Sequence, residues 1–104
     1  MGNNLNKPLK VGATIGIIGG GQLGRMLVMS GKKMGFQMIV LDPTLNSPAG
    51  QVADRQIVAA FDQISALTEL AELCDVITYE FENIEVASLE KAIPLEKLPQ
   101  GTEL

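Results

Sequence analysis

Four short apolar runs punctuate the chain, at 13–18, 38–41, 56–60 and 76–79, and two stretches between them repeat apolar residues every three or four positions. Ala13–Ile18 is apolar on successive residues, which suits a strand covered on both faces in a parallel sheet. From Gln22 to about Met34, Leu23, Met26, Leu27, Ser30 and Met34 recur at helical steps. They predict an amphipathic helix with these residues as its apolar face, stopped by Gly35. The methionines of Met26–Met29 and Met34–Met38 read as core filling in helix and strand. Met38–Leu41 is a second strand, closed by Asp42-Pro43 because proline cannot donate to a ladder. Thr44 to Gly50 is rich in turn residues and predicts a loop with at most one short helical turn. Gln56–Ala60 is a third strand. A helix follows to about Leu73, capped by Asp62 or Ser65, with Leu67, Leu70, Ala71 and Cys74 inside. Val76–Tyr79 is a fourth strand. Asn83 is placed to cap a short helix through Glu90, packed by Val86, Leu89 and Ile93. Pro94 to Leu104 is irregular.

Strands alternating with helices imply right-handed crossovers and a parallel sheet with a helical layer on each face. The fold class is therefore α/β, a Rossmann-like three-layer domain with strand order 3-2-1-4. The domain spans 13–93, after a flexible tail at 1–12 and before the start of a linker at 94–104. In such a sheet, ligands sit where the strand order reverses, at the C-terminal ends of the first and fourth strands. The turns that meet there are Gly19–Leu23 and Glu80–Asn83.

The first of these turns has the spacing Gly-x-Gly-x-x-Gly, at Gly19, Gly21 and Gly24. Glycine permits positive φ and close approach of a ligand to the backbone. The helix that starts there exposes first-turn N–H groups, which attract an anion such as a phosphate. The same glycines also serve a purely structural tight turn. Arg25 can reach a phosphate from the first helical turn or form a surface ion pair. Asp42 lies at the end of the second strand, 18 residues after Gly24. There a dinucleotide-binding domain holds the carboxylate that grips the ribose, so one reading is an NAD(P)-binding Rossmann domain of an oxidoreductase. The other is that Asp42 starts the turn ahead of Pro43. Glu80 and Glu82 flank Phe81 at the ligand-facing strand end. In extended backbone they point the same way, ready to accept hydrogen bonds from a ligand, or they are solvated acids at a helix start.

Composition narrows the classes. With 4% aromatic residues and no tryptophan, the core rests on Ile, Leu, Val, Met and Ala. A net charge of −4 without a basic run argues against nucleic acid or an anionic membrane as partner. There is no histidine and one cysteine, Cys74, so a His/Cys metal site is excluded. Cys74 lacks a histidine base and reads as a small buried hydrophobe. No signal peptide or membrane-spanning run is present, and the expected location is cytoplasmic.

Ile15 to Met26 (with Gly-Gly-Gly-Gln-Leu-Gly-Arg-Met at its end), Leu41-Asp42-Pro43, Ser47-Pro48-Ala49, Gln51 to Asp54 and Cys74 to Asn83 together resemble one family. It is the 5-(carboxyamino)imidazole ribonucleotide synthases, the ATPase subunits of phosphoribosylaminoimidazole carboxylase in purine biosynthesis, within the ATP-grasp superfamily. Leu98 to Leu104 resembles that family's link into its next domain. The resemblance covers Ala13 to Leu104 and points to the N-terminal, pre-ATP-grasp domain. It implies a ligase that carboxylates the exocyclic amine of aminoimidazole ribonucleotide with bicarbonate and ATP, through carboxyphosphate. ATP and Mg belong to the later domains of the full-length enzyme; no cofactor is expected in residues 1–104, which alone should be inert. The resemblance implies no dinucleotide. It places Gly20, Gly21, Gln22 and Leu23 along the substrate's phosphate and ribose, and Glu80 and Glu82 at its ribose or imidazole end. Related transformylases carry Glu-Leu where Gln22-Leu23 stands, which supports that pair as substrate-facing. It further implies weak aminoimidazole ribonucleotide binding by these residues alone, a homodimeric full-length enzyme, and an exposed apolar patch where further domains dock.

Overall fold

The computed structural model describes residues 12–79 and 92–97. Its elements run β1 (Thr14–Ile18), α1 (Gln22–Lys33), β2 (Gln37–Asp42), β3 (Arg55–Val58), α2 (Ile64–Leu73) and β4 (Val76–Tyr79), with a 3-10 turn at Leu95–Lys97. The four strands form one parallel sheet in the order β3-β2-β1-β4. That is the expected α/β architecture and strand order. The expected Asn83 cap, the helix through Glu90 and the two chain ends lie outside the described residues.

Successive residues of β1 face opposite sides of the sheet, and both sides are covered. Ile17 belongs to a core under α1 with Val28, Met38, Val40 and Ala49. Ile18 belongs to the larger core under α2, with Leu41, Leu67, Leu70, Cys74, Ile77 and Ile93. Burial on both faces is why β1 and β2 read as unbroken apolar runs. Two aspartates lock the lower edge of the sheet. Asp75 accepts the Thr14 N–H at 2.8 Å while its own N–H donates to the Thr14 carbonyl at 2.8 Å. Asp54 does the same with Met38, at 2.8 and 2.9 Å. Each pins the register of a strand about to begin.

The inner face of α1 departs from the sequence expectation. Gly24, Val28 and Gly31 are buried against the sheet. Leu23, Met26, Leu27 and Met34 point outward, and Met26 is 65% exposed. The physical reason is at Gly31, where an added Cβ would lie 2.5 Å from Met38 Sδ. Met38 rises from β2 into the space a side chain would take, so the helix settles on its small residues. Of the methionines expected in the core, Met38 is buried, whereas Met26, Met29 and Met34 are not.

Helix α2 buries Ala66, Leu67, Leu70 and Ala71, close to the expected face. Its N-cap is Gln63 and makes no side-chain capping bond, so neither Asp62 nor Ser65 caps it. The helix has no basic residue in its last turn. Lys97 supplies one from outside, donating from Nζ to the Ala71 carbonyl at 2.6 Å, where the helix dipole favours a cation. Between β2 and β3 the backbone makes turns, two of them with helical spacing: the Gln51 N–H donates to the Ser47 carbonyl and the Ala53 N–H to that of Ala49.

Candidate functional site

The glycine turn follows the C-terminal end of β1, which stands between β2 and β4 at the point where strand order reverses. Its first residue, Gly19, has φ +116°, a conformation that side chains rarely adopt, and its N–H donates to the Leu41 carbonyl at 2.9 Å. The next, Gly20, is held on three sides. Its N–H donates to Asp42 Oδ2 at 2.7 Å, and its carbonyl accepts the Ala49 N–H at 2.9 Å. Where its Cβ would stand, Ser47 Oγ already lies, with Ser47 Cβ at 2.8 Å and Asp42 Cβ at 3.0 Å. The turn is thus seated on the 42–50 loop before α1 begins.

Asp42 is the centre of that seat. Its second oxygen, Oδ1, accepts the Thr44 N–H at 2.8 Å, as a turn-starting aspartate does. Both carboxylate oxygens are therefore engaged inside the protein, one with Gly20 and the other with Thr44. Behind Asp42 stand two residues to which the sequence reading gave no part in the site. Ser47 is 1% exposed, donates from Oγ to Gln56 Oε1 at 3.2 Å and accepts the Gly50 N–H at 3.1 Å. Gln56 donates from Nε2 to the carbonyls of Asp42 (3.3 Å) and Thr44 (2.7 Å). The one signal in the sequence was a polar side chain, Gln56, inside a short strand. Among the described residues every buried side-chain nitrogen and oxygen has a partner.

Outward from this seat, Gly21 is the N-cap of α1, and Gln22 and Leu23 are its first two residues, both exposed. The first-turn N–H groups have no intrahelical acceptor, and no acidic residue stands in that turn to compete for them. The site therefore presents backbone donors and the ends of Gln22 and Leu23, suited to an anionic group with hydroxyls beside it. Arg25 does not reach over the turn. Its Nη1 donates to the Pro48 carbonyl at 3.2 Å and to Gln51 Oε1 at 3.4 Å, bracing the same loop.

On the other side, Tyr79 pairs with Ile18 in register, so the chain leaves β4 beside the glycine turn. Glu80 and Glu82, which follow, lie outside the described residues. Cys74 is buried in the core under α2, and burial pushes its thiol up to about 12, with nearby Lys97 opposing and Asp75 reinforcing the shift. It is a packing residue, as its sequence context implied. Among the described residues no three His, Cys, Asp or Glu side chains cluster to hold a metal, and no helix is long and apolar enough to cross a membrane.

Residues 12–99 match the family model of the ribonucleotide synthetase preATP-grasp domain. The chain belongs to that family. The preATP-grasp domain is 60% identical over 83 residues to the N5-carboxyaminoimidazole ribonucleotide synthase of Brucella melitensis, covering 80% of this chain and 23% of the relative. It superposes with a TM-score of 0.85 on the ADP complex of an N5-carboxyaminoimidazole ribonucleotide synthetase, at 52% identity, covering 94% of this chain and 26% of that one. The synthase of Aspergillus clavatus, crystallised with ADP and 5-aminoimidazole ribonucleotide, gives a TM-score of 0.73 at 38% identity, covering 85% of this chain and 24% of that one. The chain thus spans about a quarter of the length of the relatives it matches.

Proposed function

We propose that this preATP-grasp domain is the substrate-nucleotide-binding part of a ligase that carboxylates 5-aminoimidazole ribonucleotide. The product is N5-carboxyaminoimidazole ribonucleotide, made with bicarbonate and ATP in purine biosynthesis. The turn Gly20–Gly21 and the start of α1, Gln22 and Leu23, line the substrate's phosphate and ribose. Glu80 and Glu82 face its ribose or imidazole end. Residues 13–93 form this domain, and 94–104 lead toward the ATP-grasp region. ATP and Mg act from that region, activating bicarbonate as carboxyphosphate for attack by the exocyclic amine. The domain's own contribution is to hold the ribonucleotide, so alone it turns nothing over. The full-length enzyme works as a cytoplasmic homodimer.

The observation that supports this reading over a dinucleotide site is the engagement of Asp42. Its two oxygens bind Gly20 and Thr44, leaving backbone donors but no ribose-gripping carboxylate at the end of β2. The test is an amide-resolved NMR titration of the 104-residue chain. Addition of 5-aminoimidazole ribonucleotide is expected to move the Gly21, Gln22 and Leu23 amides with weak, at best sub-millimolar affinity, since other parts of the relatives' chains are missing from the clamp. NAD(H) is expected to move none of them. Micromolar NAD(H) binding, or bicarbonate-dependent ATP hydrolysis by these residues alone, would sink the proposal.

A further inference from the structure

Apart from Tyr79 and Cys74, Ser47 is the one polar side chain buried among the described residues, at 1% exposure. A buried hydroxyl is unfavourable unless it is hydrogen-bonded, and an alanine would pack the same position without that penalty. The hydroxyl earns its place through two directed bonds. Its Oγ donates to Gln56 Oε1 at 3.2 Å and accepts the Gly50 N–H at 3.1 Å. Gln56 is itself fixed, because its Nε2 donates to the carbonyls of Asp42 and Thr44. Gly50 leaves room for this arrangement, since a side chain there would run into Gln56 Oε1. Closing a turn onto an amide three residues on is what many serines do, and elsewhere in a chain it would be the whole of the role. Here the same Oγ also fills the place of a Gly20 Cβ, beneath the glycine turn.

The consequence runs through one peptide plane. The bond from the Gly50 N–H to Ser47 Oγ closes the turn 47–50 and sets Ala49 within it. The Ala49 N–H then donates to the Gly20 carbonyl at 2.9 Å. In a trans peptide that carbonyl and the Gly21 N–H share a plane and point opposite ways, so fixing the one aims the other. On the near side of Gly20, Asp42 fixes the Gly19–Gly20 peptide by accepting the Gly20 N–H at 2.7 Å. Gly20 is clamped at both of its peptides, by a carboxylate and by the turn that Ser47 closes. We infer that Ser47, oriented by Gln56, is a positioning residue of the ribonucleotide site. It touches no substrate. It holds the Gly20–Gly21 peptide, and with it the start of α1, in the orientation that meets the substrate's phosphate and ribose in the function proposed above.

The test reads the turn without ligand and then with it, by NMR on the 104-residue chain. Ser47→Ala keeps the packing carbon and removes Oγ. In the ligand-free chain it should shift the Gly20, Gly21 and Gln22 amides and speed exchange of the Gly50 amide with solvent. Its Kd for 5-aminoimidazole ribonucleotide should rise at least about threefold. Ser47→Cys, whose Sγ can fill the same place and keep both partners, should return the Kd to within about twofold of the parent. Gln56→Met, of similar length but without the polar end, should act in the same direction as Ser47→Ala, and it carries the test where Ser47→Ala does not fold. Ala71→Gly, in α2 on the other face of the sheet, lowers stability without touching the turn and should leave both the Kd and the turn amides unchanged. Turn amides or a Kd that stay unmoved in Ser47→Ala and Gln56→Met overturn the inference. So does a Kd that Ala71→Gly raises as much as they do. A parent chain whose turn amides ignore the ribonucleotide refutes the function proposed above instead, and the ligand-free amides still decide whether Ser47 holds the turn.

Discussion

Removing the Asp42 carboxylate should loosen the glycine turn more than any other single surface-reachable change. Asp42→Ala deletes two hydrogen bonds to a charged acceptor, at 2.7 Å from Gly20 and 2.8 Å from Thr44. Each such bond contributes about 1.5–3 kcal/mol when both partners are held, and a buried N–H left without an acceptor costs about 1–3 kcal/mol. The Thr44 amide is exposed and regains water, so most of its share is recovered. The Gly20 amide is buried beneath Ser47 and the 42–50 loop, and it recovers little. The expected loss is therefore about 2–3 kcal/mol of folding stability, read from urea unfolding followed by circular dichroism. Asp42→Asn keeps one acceptor oxygen and should lose about half as much. It should retain the amide resonance of Gly20 near its original position, whereas Asp42→Ala should shift it and speed its exchange with solvent. A loss below about 0.5 kcal/mol in Asp42→Ala, with the Gly20 amide still protected, would refute the view that this carboxylate seats the turn.

Other expected outcomes follow from the same contacts. Gly20→Ala drives a methyl into Ser47, which is hydrogen-bonded and cannot yield cheaply, and should cost about 1–3 kcal/mol in a denaturant melt while displacing the Gly21 and Gln22 amides. Val28→Ala should cost about 1–3 kcal/mol and Met26→Ala, measured at low micromolar concentration, under about 0.5; the reverse order would contradict the observed inner face of α1. Stability should fall with rising pH above about 9. The unfolded thiol of Cys74 ionises near 9.0 while the folded one holds its proton to about 12, so the folded state binds more protons in that window. The slope, about 1.4 kcal/mol per pH unit, should vanish in Cys74→Ala relative to the parent. Lys97→Ala removes the cation at the end of α2 and should lower stability by about 1 kcal/mol in the same melt.

Much of this fold was legible because its central strands are buried on both faces. Ile15 to Ile18 and Met38 to Leu41 announce themselves as continuous apolar runs, and their alternation with helical spacing fixes the parallel order. The inner side of α1 was not legible, for a definite reason. Periodicity counts large apolar residues, and α1 turns its glycines to the sheet because Met38 fills the room beneath Gly31. The Leu and Met stripe is real, but it faces outward. In the site, the glycine spacing located the turn, while spacing alone made Asp42 a ribose ligand. Asp42-Pro43 also read as a turn, and the structure joins that turn to the glycines through one oxygen on each. Ser47 stood in the sequence only as part of the Ser47-Pro48-Ala49 motif and Gln56 only as the start of a strand, because their partners are backbone atoms and each other, pairings that no local pattern announces.

The strand order also sets a timetable. β1 is synthesised before the other three described strands, yet it ends inside the sheet, with β2 on one side and β4 on the other. Once β2 has paired, the opposite edge stays open until roughly 40 more residues have emerged, a delay of about 2–8 s at usual elongation rates. An unpaired central strand of Ile, Gly and Ile is an adhesive surface for that interval. The clasp between Asp75 and Thr14, 61 residues apart, ends it as β4 arrives.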